Sequence, residues 1–443
     1  MRIPALVVPL VLLAAPAPAA AQVSLTREQW RADLQFAADS FLARDRSFGE
    51  AARGQFRAAI AALQDSAGAI PDERMIAGLA RAVALAENAH TRLYLVRNRS
   101  EVRRLPIRVW WFSDGLFVVR ARQEHAGLIG ARVTRICGRP LAEAKRAVDR
   151  LYAGNRAWHR YIAAYTLTSP ELLSGVGICP AGRAPVFTLV TRGGRTVEQA
   201  LEPLPLRRSE QPTEAWWDLV PAHPGVQGPW TGALPADSAR LPLYLRNATA
   251  TYWADYLPAP RLLYVQINRA GDAPEGETMA QFGEGVLRRL AIDTVAKVVV
   301  DLRFNTGGNL QVGTPLMRRI TDEARRRGAR LYVITGNATF SAGVTHVAQL
   351  RQFGGAVLAG EGPGEGMEFW SEGGNLRMPN SRLTLHFADR MHRYSRIKNP
   401  PTVPYIDTEL YADRITPEVA APLSSRDYFA GRDPALAAIL ARR

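Results

Sequence analysis

The residues of this chain that could do chemistry together lie at the ends of two predicted β-strands. One strand ends in the glycine turn NTGGN, and the next strand along the chain leads into ATFSAG. Acyl transfer needs a nucleophile and backbone N–H groups that bind the developing oxyanion. We therefore predict that Ser341 is a nucleophile. The predicted oxyanion donors are Gly307, Gly308 and Ala342.

Each turn also has a simpler interpretation. A serine at a strand-to-helix junction is a good helix N-cap, and glycines supply positive φ in tight turns. NTGGN is not a phosphate loop, because the required lysine and hydroxyl are missing. Two such turns at the ends of strands in one sheet favour a functional site more strongly than either turn alone.

A general base for this nucleophile is predicted from the seven histidines of the chain. His90 is favoured, since it occupies a helix-to-strand turn from which a side chain can project into a cleft. His346 lies five residues after Ser341 in the same predicted helix and is interpreted as a packing residue. His386 and His392 lie near the edge of a late β-rich patch and lack metal-type spacing. We predict no metal site and no organic cofactor.

The elements that must position these residues follow an N-terminal signal. Arg2 precedes an apolar run and a small-residue stretch, which predicts a secretory signal peptide at residues 1–21. We predict a helical domain at 22–100, a β-rich middle region at 101–255 and an α/β core at 256–443. Alternating strands and helices in the core indicate a parallel-rich sheet with its site at the carboxyl ends of the strands.

The β-rich middle region contains two features that bear on substrate access. Its predicted strands surround one predicted helix, LAEAKRAVDRLYAG. The proline- and tryptophan-rich stretch 211–235 is predicted to be a long loop or lid. We predict that the mature protein has no membrane span and lies in the periplasm or is secreted.

The formal charge of +15 is carried almost entirely by arginine, with lysine only at positions 145, 297 and 398. The basic residues are spread along the chain rather than clustered with aromatic residues, so a nucleic-acid partner is not indicated. Cys137 and Cys179 could form one disulfide in an oxidising compartment or remain two buried thiols, and the sequence leaves both open.

Five ordered motifs resemble the C-terminal-processing (tail-specific) and tricorn-like serine peptidases. DLRFNTGG followed by TFSAG resembles their DLRxNxGG…TxSA signature, and ENAHTRLYL is similar to their DGHT turn. MPNSRLTLHF and ITPEVAAPLSSRDYFAGRDPALAAIL resemble two later family motifs. The resemblance implies a crotonase- or ClpP-like α/β core behind an N-terminal helical bundle. It also implies hydrolysis of peptide bonds in protein or peptide substrates, and homo-oligomerisation is compatible with it.

This chain departs from the Ser–Lys members of the family. Their lysine follows the serine by some two dozen residues, and here Glu365 stands near that place. The tricorn-like branch instead uses the histidine of the HT turn, which corresponds to His90. By the same resemblance Asp413 would be the acid that orients this histidine, with Glu372 and Glu361 as alternatives.

Two further points leave the function open between two classes. AGLIGARVTRICGRPLAEA resembles only the later half of a peptide-binding PDZ module, so a substrate could instead add as a strand to a sheet edge. The departures from the family pattern also allow a second hypothesis. In that hypothesis the chain is a non-catalytic protein that binds peptides or other ligands on the same fold.

Overall fold

The structure is a computed structural model, and it describes residues 24–95, 102–205, 214–221, 228–394 and 410–442. The predicted signal peptide lies outside these ranges. Within them, every helix is too short or too polar to cross a lipid bilayer.

The N-terminal part is helical, as predicted. Its elements are α1 (Arg27–Phe36), a π-helical turn (Ala37–Phe41), α2 (Leu42–Arg44), α3 (Glu50–Ser66) and α4 (Asp72–Ala84). Helix α1 begins with a capping box in which the Thr26 hydroxyl accepts from the Gln29 amide and the Gln29 side chain accepts from the Thr26 amide. The apolar residues at three- and four-residue spacing are buried, namely Trp30, Leu34, Ala37 and Phe41.

The chain then turns through His90 into a short strand, β1 (Arg92–Leu93), whose partner comes from the far end of the sequence. Strand β1 pairs antiparallel with residues 385–386. The helix-to-strand turn that carries His90 is therefore attached directly to the C-terminal part of the molecule.

The middle region forms a second, antiparallel sheet with strand order β2-β3-β4-β6-β7 and two added strands. Its strands are β2 (Ile107–Phe112), β3 (Gly115–Arg122), β4 (Arg132–Ile136), β5 (Arg139–Pro140), β6 (Val186–Val190), β7 (Thr196–Ala200) and β8 (Trp230–Gly232). Its helices are α5 (Leu141–Asp149), α6 (Arg156–Thr166), α7 (Pro170–Gly175) and α8 (Leu243–Arg246).

The prediction of one helix in this region was wrong, because α6 and α7 follow α5. Helix α7 is buried along its whole length, so it lacks the amphipathic period from which a helix is recognised. Helix α6 has such a period, with Arg156, His159 and Arg160 outside its buried face, so it could have been recognised.

The tryptophan-rich stretch differs from the predicted loop or lid in the part that the structure describes. Residues Ala215–Leu219 form a 3₁₀ helix, and the Trp216 side chain is only 1% exposed. The indole N–H of Trp216 donates to the carbonyl of Ala248. This segment therefore packs into the core, because its large apolar rings are stabilised by burial.

Cys137 and Cys179 are joined by a disulfide, which resolves the alternative that the sequence left open. The bridge closes a loop with a sequence separation of 42 residues, from the turn after β4 to the end of α7. The disulfide thus fastens the end of β4 to the segment that follows α7.

The C-terminal part is built on a six-stranded sheet with the order β18-β13-β12-β11-β10-β9. Neighbouring strands are parallel, except for the antiparallel edge strand β9. The elements are β9 (Tyr252–Leu257), β10 (Leu262–Ile267), α9 (Met279–Ile292), β11 (Lys297–Asp301), α10 (Leu310–Arg326), β12 (Arg330–Thr335), α11 (Ala342–Gly354) and β13 (Val357–Gly360). Strands β10 to β12 are almost entirely buried, as expected when helices cover a parallel sheet.

Two small ribbons and the chain end complete this part. They consist of β14 (Glu368–Ser371), β15 (Gly374–Arg377), β16 (Thr384–Phe387), β17 (Arg390–Arg393), β18 (Val419–Ala420), α12 (Ser425–Phe429) and α13 (Pro434–Leu440). Strand β14 pairs with β17, and β16 lies between β1 and β15. Arg303 bridges the buried carboxylates of Asp301 and Asp433, which fixes the start of α13 against the end of β11.

Candidate active site

Ser341 lies where the chain passes from β12 into α11, and its backbone conformation is unusual. Its φ is 55° and its ψ is −127°, a region that favours glycine. Its hydroxyl makes no hydrogen bond to the helix that it precedes. The helix-cap interpretation is therefore not supported, because an N-cap serine has extended backbone angles and bonds to an N–H of the first turn.

The glycine turn contacts the Ser341 turn through Asn305 and Gly307. The Phe340 amide donates to the Asn305 carbonyl at 2.9 Å, and the Asn305 side-chain amide donates to the Ile267 carbonyl at 3.0 Å. A Cβ atom on Gly307 would lie 2.7 Å from Cβ of Ser341 and 3.1 Å from its Oγ. Glycine is required at this position, because any larger residue would displace the serine.

The three predicted oxyanion donors differ in availability. The Gly307 N–H donates to the Asn305 side-chain oxygen at 2.9 Å, so it is already engaged. The N–H groups of Gly308 and Ala342 make no hydrogen bond with any described residue. Gly308 faces Ala270 in an isolated parallel bridge, in which its own N–H points away from that partner. Gly308 and Ala342 therefore remain as free donors, and Gly307 does not.

The imidazole of His90 is held beside this serine between two phenyl rings. It stacks on Phe340, the residue before Ser341, with ring centroids 4.6 Å apart. On its other side lies Phe369, with centroids 5.6 Å apart and planes inclined by 12°. His90 is only 7% exposed. The structure thus brings together the predicted base and the predicted nucleophile.

Glu365 is the carboxyl group that both residues contact. The Ser341 amide donates to Oε2 of Glu365 at 2.9 Å, and Nε2 of His90 lies 3.4 Å from the same oxygen. Glu365 is 5% exposed, and its other oxygen has no hydrogen-bond partner among the described residues. One oxygen atom therefore marks the point where the two sequence-distant turns meet.

Burial determines the protonation of this pair. It raises the pKa of Glu365 to about 8, against the smaller lowering effects of the Ser341 amide, His392 and Arg92. Burial is also the main reason that the pKa of His90 is well below its usual value, with Arg92 and His392 lowering it further. The contact is therefore between a protonated carboxyl group and a neutral imidazole at neutral pH, rather than an ion pair.

The structure does not bring the predicted acid Asp413 to His90. Both of its oxygens accept from the Arg351 guanidinium at 2.8 Å, and this interaction lowers the pKa of Asp413 to about 2. Asp413 is half exposed and lies against the last turn of α11, where its ion pair with Arg351 accounts for its position.

The alternative acids lie in two different places. Oε1 of Glu372 lies 3.2 Å from Nε2 of His392, and that hydrogen bond lowers the pKa of Glu372. Glu361 lines a cavity with Tyr244 and Arg303, and neither Ser341 nor His90 lines that cavity. Burial raises the pKa of Glu361 to about 7.

The sequence missed Glu365 as a partner of His90, although it marked the position as one where the family carries a lysine. The described lysines are engaged elsewhere, with Lys145 on Asp149 and Lys297 on carbonyls of the last helix.

His346 is fully buried and bonds to Gln349, in agreement with a packing role. In the described ranges, no group of three or more His, Cys, Asp or Glu side chains is arranged to hold a metal ion.

A cleft of about 640 Å³ opens beside the glycine turn. Gly308 and Asn309 form part of its wall together with Trp217, Arg269 and Asp272. Ser341, His90 and Ala342 do not line this cleft, so it adjoins the candidate site only at the glycine turn.

No protein-family model matches the sequence, and no curated protein is similar to it. Among solved structures, mature CPAF matches with a TM-score of 0.58 and 12% identity, covering 92% of this chain and 95% of CPAF. CPAF in complex with lactacystin matches with a TM-score of 0.57, 12% identity and coverage of 92% and 96%. The chain therefore has the fold of mature CPAF.

Two further solved structures match at lower scores. One is the tricorn protease, with a TM-score of 0.38, 13% identity and coverage of 94% of this chain and 36% of that one. The photosystem II D1 C-terminal processing protease has a TM-score of 0.37, 12% identity and coverage of 93% and 99%. Tail-specific and tricorn-like peptidases are therefore among the proteins to which this chain is similar, as the motifs predicted.

Proposed function

We propose that this protein is a serine-type peptidase of the tail-specific and tricorn-like kind, acting on protein or peptide substrates. One observation carries the proposal: the Ser341 amide and the His90 imidazole converge on one oxygen of Glu365, beside a serine hydroxyl that is left free. Serine proteases among the structurally similar proteins support a peptidase as well.

In this proposal Ser341 Oγ attacks the substrate carbonyl and neutral His90 accepts the hydroxyl proton. The N–H groups of Gly308 and Ala342 bind the oxyanion. Losing one such donor costs on the order of 100-fold or more in turnover. His90 then protonates the leaving amine, and water hydrolyses the acyl-enzyme by the same steps in reverse.

We assign the role of the acid to Glu365 rather than Asp413. A positive charge on His90 favours the ionised form of a carboxyl group 3.4 Å away, so Glu365 would stabilise the imidazolium when it forms. Glu365 can do so only in its ionised form, so its own proton must leave to solvent before Ser341 gives its proton to the neutral His90. The two partners would then titrate as a coupled unit.

The remaining parts of the proposal concern fold and location. We place the six-stranded sheet in the crotonase- or ClpP-like class, and we propose that the protein is exported to the periplasm or secreted. The apolar N-terminal run and the disulfide between Cys137 and Cys179 support export, since disulfides persist in oxidising compartments. Homo-oligomerisation stays a prediction, which light scattering would test.

The test is labelling by a fluorophosphonate probe, which reacts with activated serines. Wild type is expected to be labelled, whereas Ser341→Ala abolishes labelling and the hydrolysis of unfolded protein. His90→Ala is expected to slow labelling by at least about 100-fold. Ser66→Ala is the matched control and keeps full labelling, because the hydroxyl of this half-buried serine bonds to the Ala62 carbonyl within α3. Labelling that persists in Ser341→Ala would remove the assignment.

A non-catalytic peptide-binding protein is the second candidate. The observation that favours it is that Nε2 of His90 has no hydrogen-bond partner among the described residues, so base and nucleophile are not joined by a hydrogen bond. In that case wild type would not react with the probe. An unfolded peptide would then bind wild type and Ser341→Ala with equal affinity in fluorescence anisotropy.

A further inference from the structure

The short ribbon of β14 and β17 contacts both halves of the candidate site. On one side Phe369 of β14 stacks on the His90 imidazole, and the Trp370 amide donates to the Asn88 side chain at 3.1 Å. Asn88 is two residues before His90, so the ribbon holds the turn that carries the base at two points.

On its other side the ribbon is fastened to the helix that begins after Ser341. The Tyr394 hydroxyl lies 2.7 Å from the hydroxyl of Thr345, in the first turn of α11. The backbone amide of Thr345 donates to the Ser341 carbonyl at 3.2 Å. The amide of Tyr394 also donates to the Met367 carbonyl at 2.8 Å, which fixes Tyr394 to the strand leading into β14.

His392 joins these two contacts inside the ribbon. Its ring stacks on Phe369 with centroids 4.8 Å apart, and the same phenyl ring stacks on His90. Its Nδ1 lies 2.6 Å from the Tyr394 hydroxyl, and its Nε2 lies 3.2 Å from the Glu372 carboxylate. His392 is only 2% exposed, so these partners define its orientation.

The direction of the hydrogen bonds follows from the partners. The bond with His392 lowers the pKa of Glu372, so its carboxylate accepts from Nε2–H. Nδ1 of His392 and the Thr345 hydroxyl both bond to the Tyr394 hydroxyl. The Thr345 hydroxyl also donates to the Ser341 carbonyl at 3.5 Å. A continuous chain of hydrogen bonds therefore runs from Glu372 through His392, Tyr394 and Thr345 to the backbone of Ser341.

We propose that His392 and Tyr394 are positioning residues for the reaction proposed above: through Phe369 they set the plane of the His90 imidazole, and through Thr345 they tie it to the helix that carries Ser341. This inference rests on the proposed function. Neither residue contacts the substrate carbonyl in this scheme, so each acts only through another side chain.

The test compares variants that each delete one hydroxyl from the Tyr394–Thr345 bond. Tyr394→Phe and Thr345→Val are expected to lower kcat for a peptide substrate roughly ten- to hundredfold while KM changes little, because a small displacement of the base is costly. Thr345→Ser keeps the hydroxyl and is expected to restore kcat. The double variant should lose no more than either single one, since both delete the same bond.

Thr321→Val is the matched control. Thr321 is equally buried in a helix, and its hydroxyl bonds to the Met317 carbonyl one turn earlier. We expect wild-type kcat from this variant. Equal losses in Thr321→Val and Thr345→Val would assign the effect to general loss of packing and overturn the proposal.

A second readout separates this inference from the proposed function. The His90 ring stacks on the phenyl rings of Phe340 and Phe369, so the NMR chemical shifts of its ring carbons depend on how these rings are placed. We expect these chemical shifts to change in Tyr394→Phe and to stay unchanged in Thr321→Val. If the His90 signal shifts in Tyr394→Phe but the fluorophosphonate does not label wild type, the peptidase is rejected and the positioning role is kept. Normal labelling and an unmoved signal in Tyr394→Phe would reject the positioning alone.

Discussion

A single buried oxygen of Glu365 connects the two residues on which the proposed chemistry depends. The Ser341 amide and the His90 imidazole come from turns about 250 positions apart in the chain, and both contact this atom. Glu365 lies in a loop after β13 that has no periodic pattern. Its position relative to His90 results from tertiary packing, and only geometry identifies its role.

The first prediction at this scale concerns the pH dependence of stability. Burial raises the pKa of Glu365 to about 8, whereas an unfolded chain has a glutamate pKa of about 4.3. The folded state therefore holds the proton more tightly, and the stability that this provides is lost as pH rises through about 8. Between about pH 7 and about pH 9, Tm should fall more in wild type than in Glu365→Gln.

His90 does not interfere in this window. Its pKa is lowered in the folded state, so its contribution changes only below its ordinary value of about 6.5. Glu50→Gln, at the exposed start of α3, controls for the loss of a surface carboxylate. Parallel Tm curves for wild type and Glu365→Gln in thermal scans would contradict the buried neutral carboxyl group.

The second prediction concerns Gly307. In Gly307→Ala the new methyl group would lie 2.7 Å from Cβ of Ser341, at a φ of +102° that disfavours alanine. We expect fluorophosphonate labelling to be lost and the free energy of unfolding to fall by about 1–3 kcal/mol. Urea denaturation and labelling rates measure the two effects.

Gly194→Ala is the control for this variant. Gly194 also has a positive φ, at +79°, but a Cβ atom there would meet open space. It carries the backbone strain without the contact, so its labelling should equal that of wild type. Loss of labelling in both variants would show that strain, and not the contact with Ser341, is responsible.

At the scale of elements, the strands that end at the candidate site could be predicted from the sequence. Some of the helices of the middle region were not predicted. The turns after β11 and β12 could be recognised because buried strands end in NTGG and in TFSAG. Helix α7 was missed because it is buried along its whole length, whereas the amphipathic period of α6 could have been recognised. Asp413 was chosen by its position along the chain, whereas its actual partner is Arg351, which the sequence does not reveal.

The disulfide gives the prediction at this scale. It closes a loop with a separation of 42 residues, and the chain-entropy relation gives about 4 kcal/mol for a loop of that length. The double variant Cys137→Ser, Cys179→Ser should lose roughly this much in denaturant unfolding and keep its labelling by the probe. Wild type treated with reductant should match the variant, and an unchanged unfolding midpoint would contradict a stabilising bridge.

At the scale of the molecule, the first helices rest on strands from the end of the chain. Asp33 accepts from the amides of Asn380 and Ser381, and Asp45 accepts from the Ala388 amide and the Thr91 hydroxyl. Both aspartates are completely buried. They connect the N-terminal helices, and with them the turn of His90, to the part of the molecule that contains Ser341.

Asp45→Asn tests this connection. An amide nitrogen cannot accept a hydrogen bond, so at least one pair of bonds is lost, and we expect the free energy of unfolding to fall by about 2 kcal/mol or more. Labelling should also slow, since Thr91 adjoins His90. Asp39→Asn, on the exposed side of the same helical segment, should change neither quantity. Wild-type labelling in Asp45→Asn would show that the turn is held without this carboxylate.

The pairing of β1 with β16 has a consequence for the newly made chain. Residue 92 finds its partner at residue 386, so its strand stays without a neighbour until almost nine-tenths of the polypeptide has been synthesised. A half-made or truncated copy would carry the imidazole and the hydroxyl on unconnected pieces. Synthesis of the last strands therefore completes the sheet to which the turn of His90 is attached.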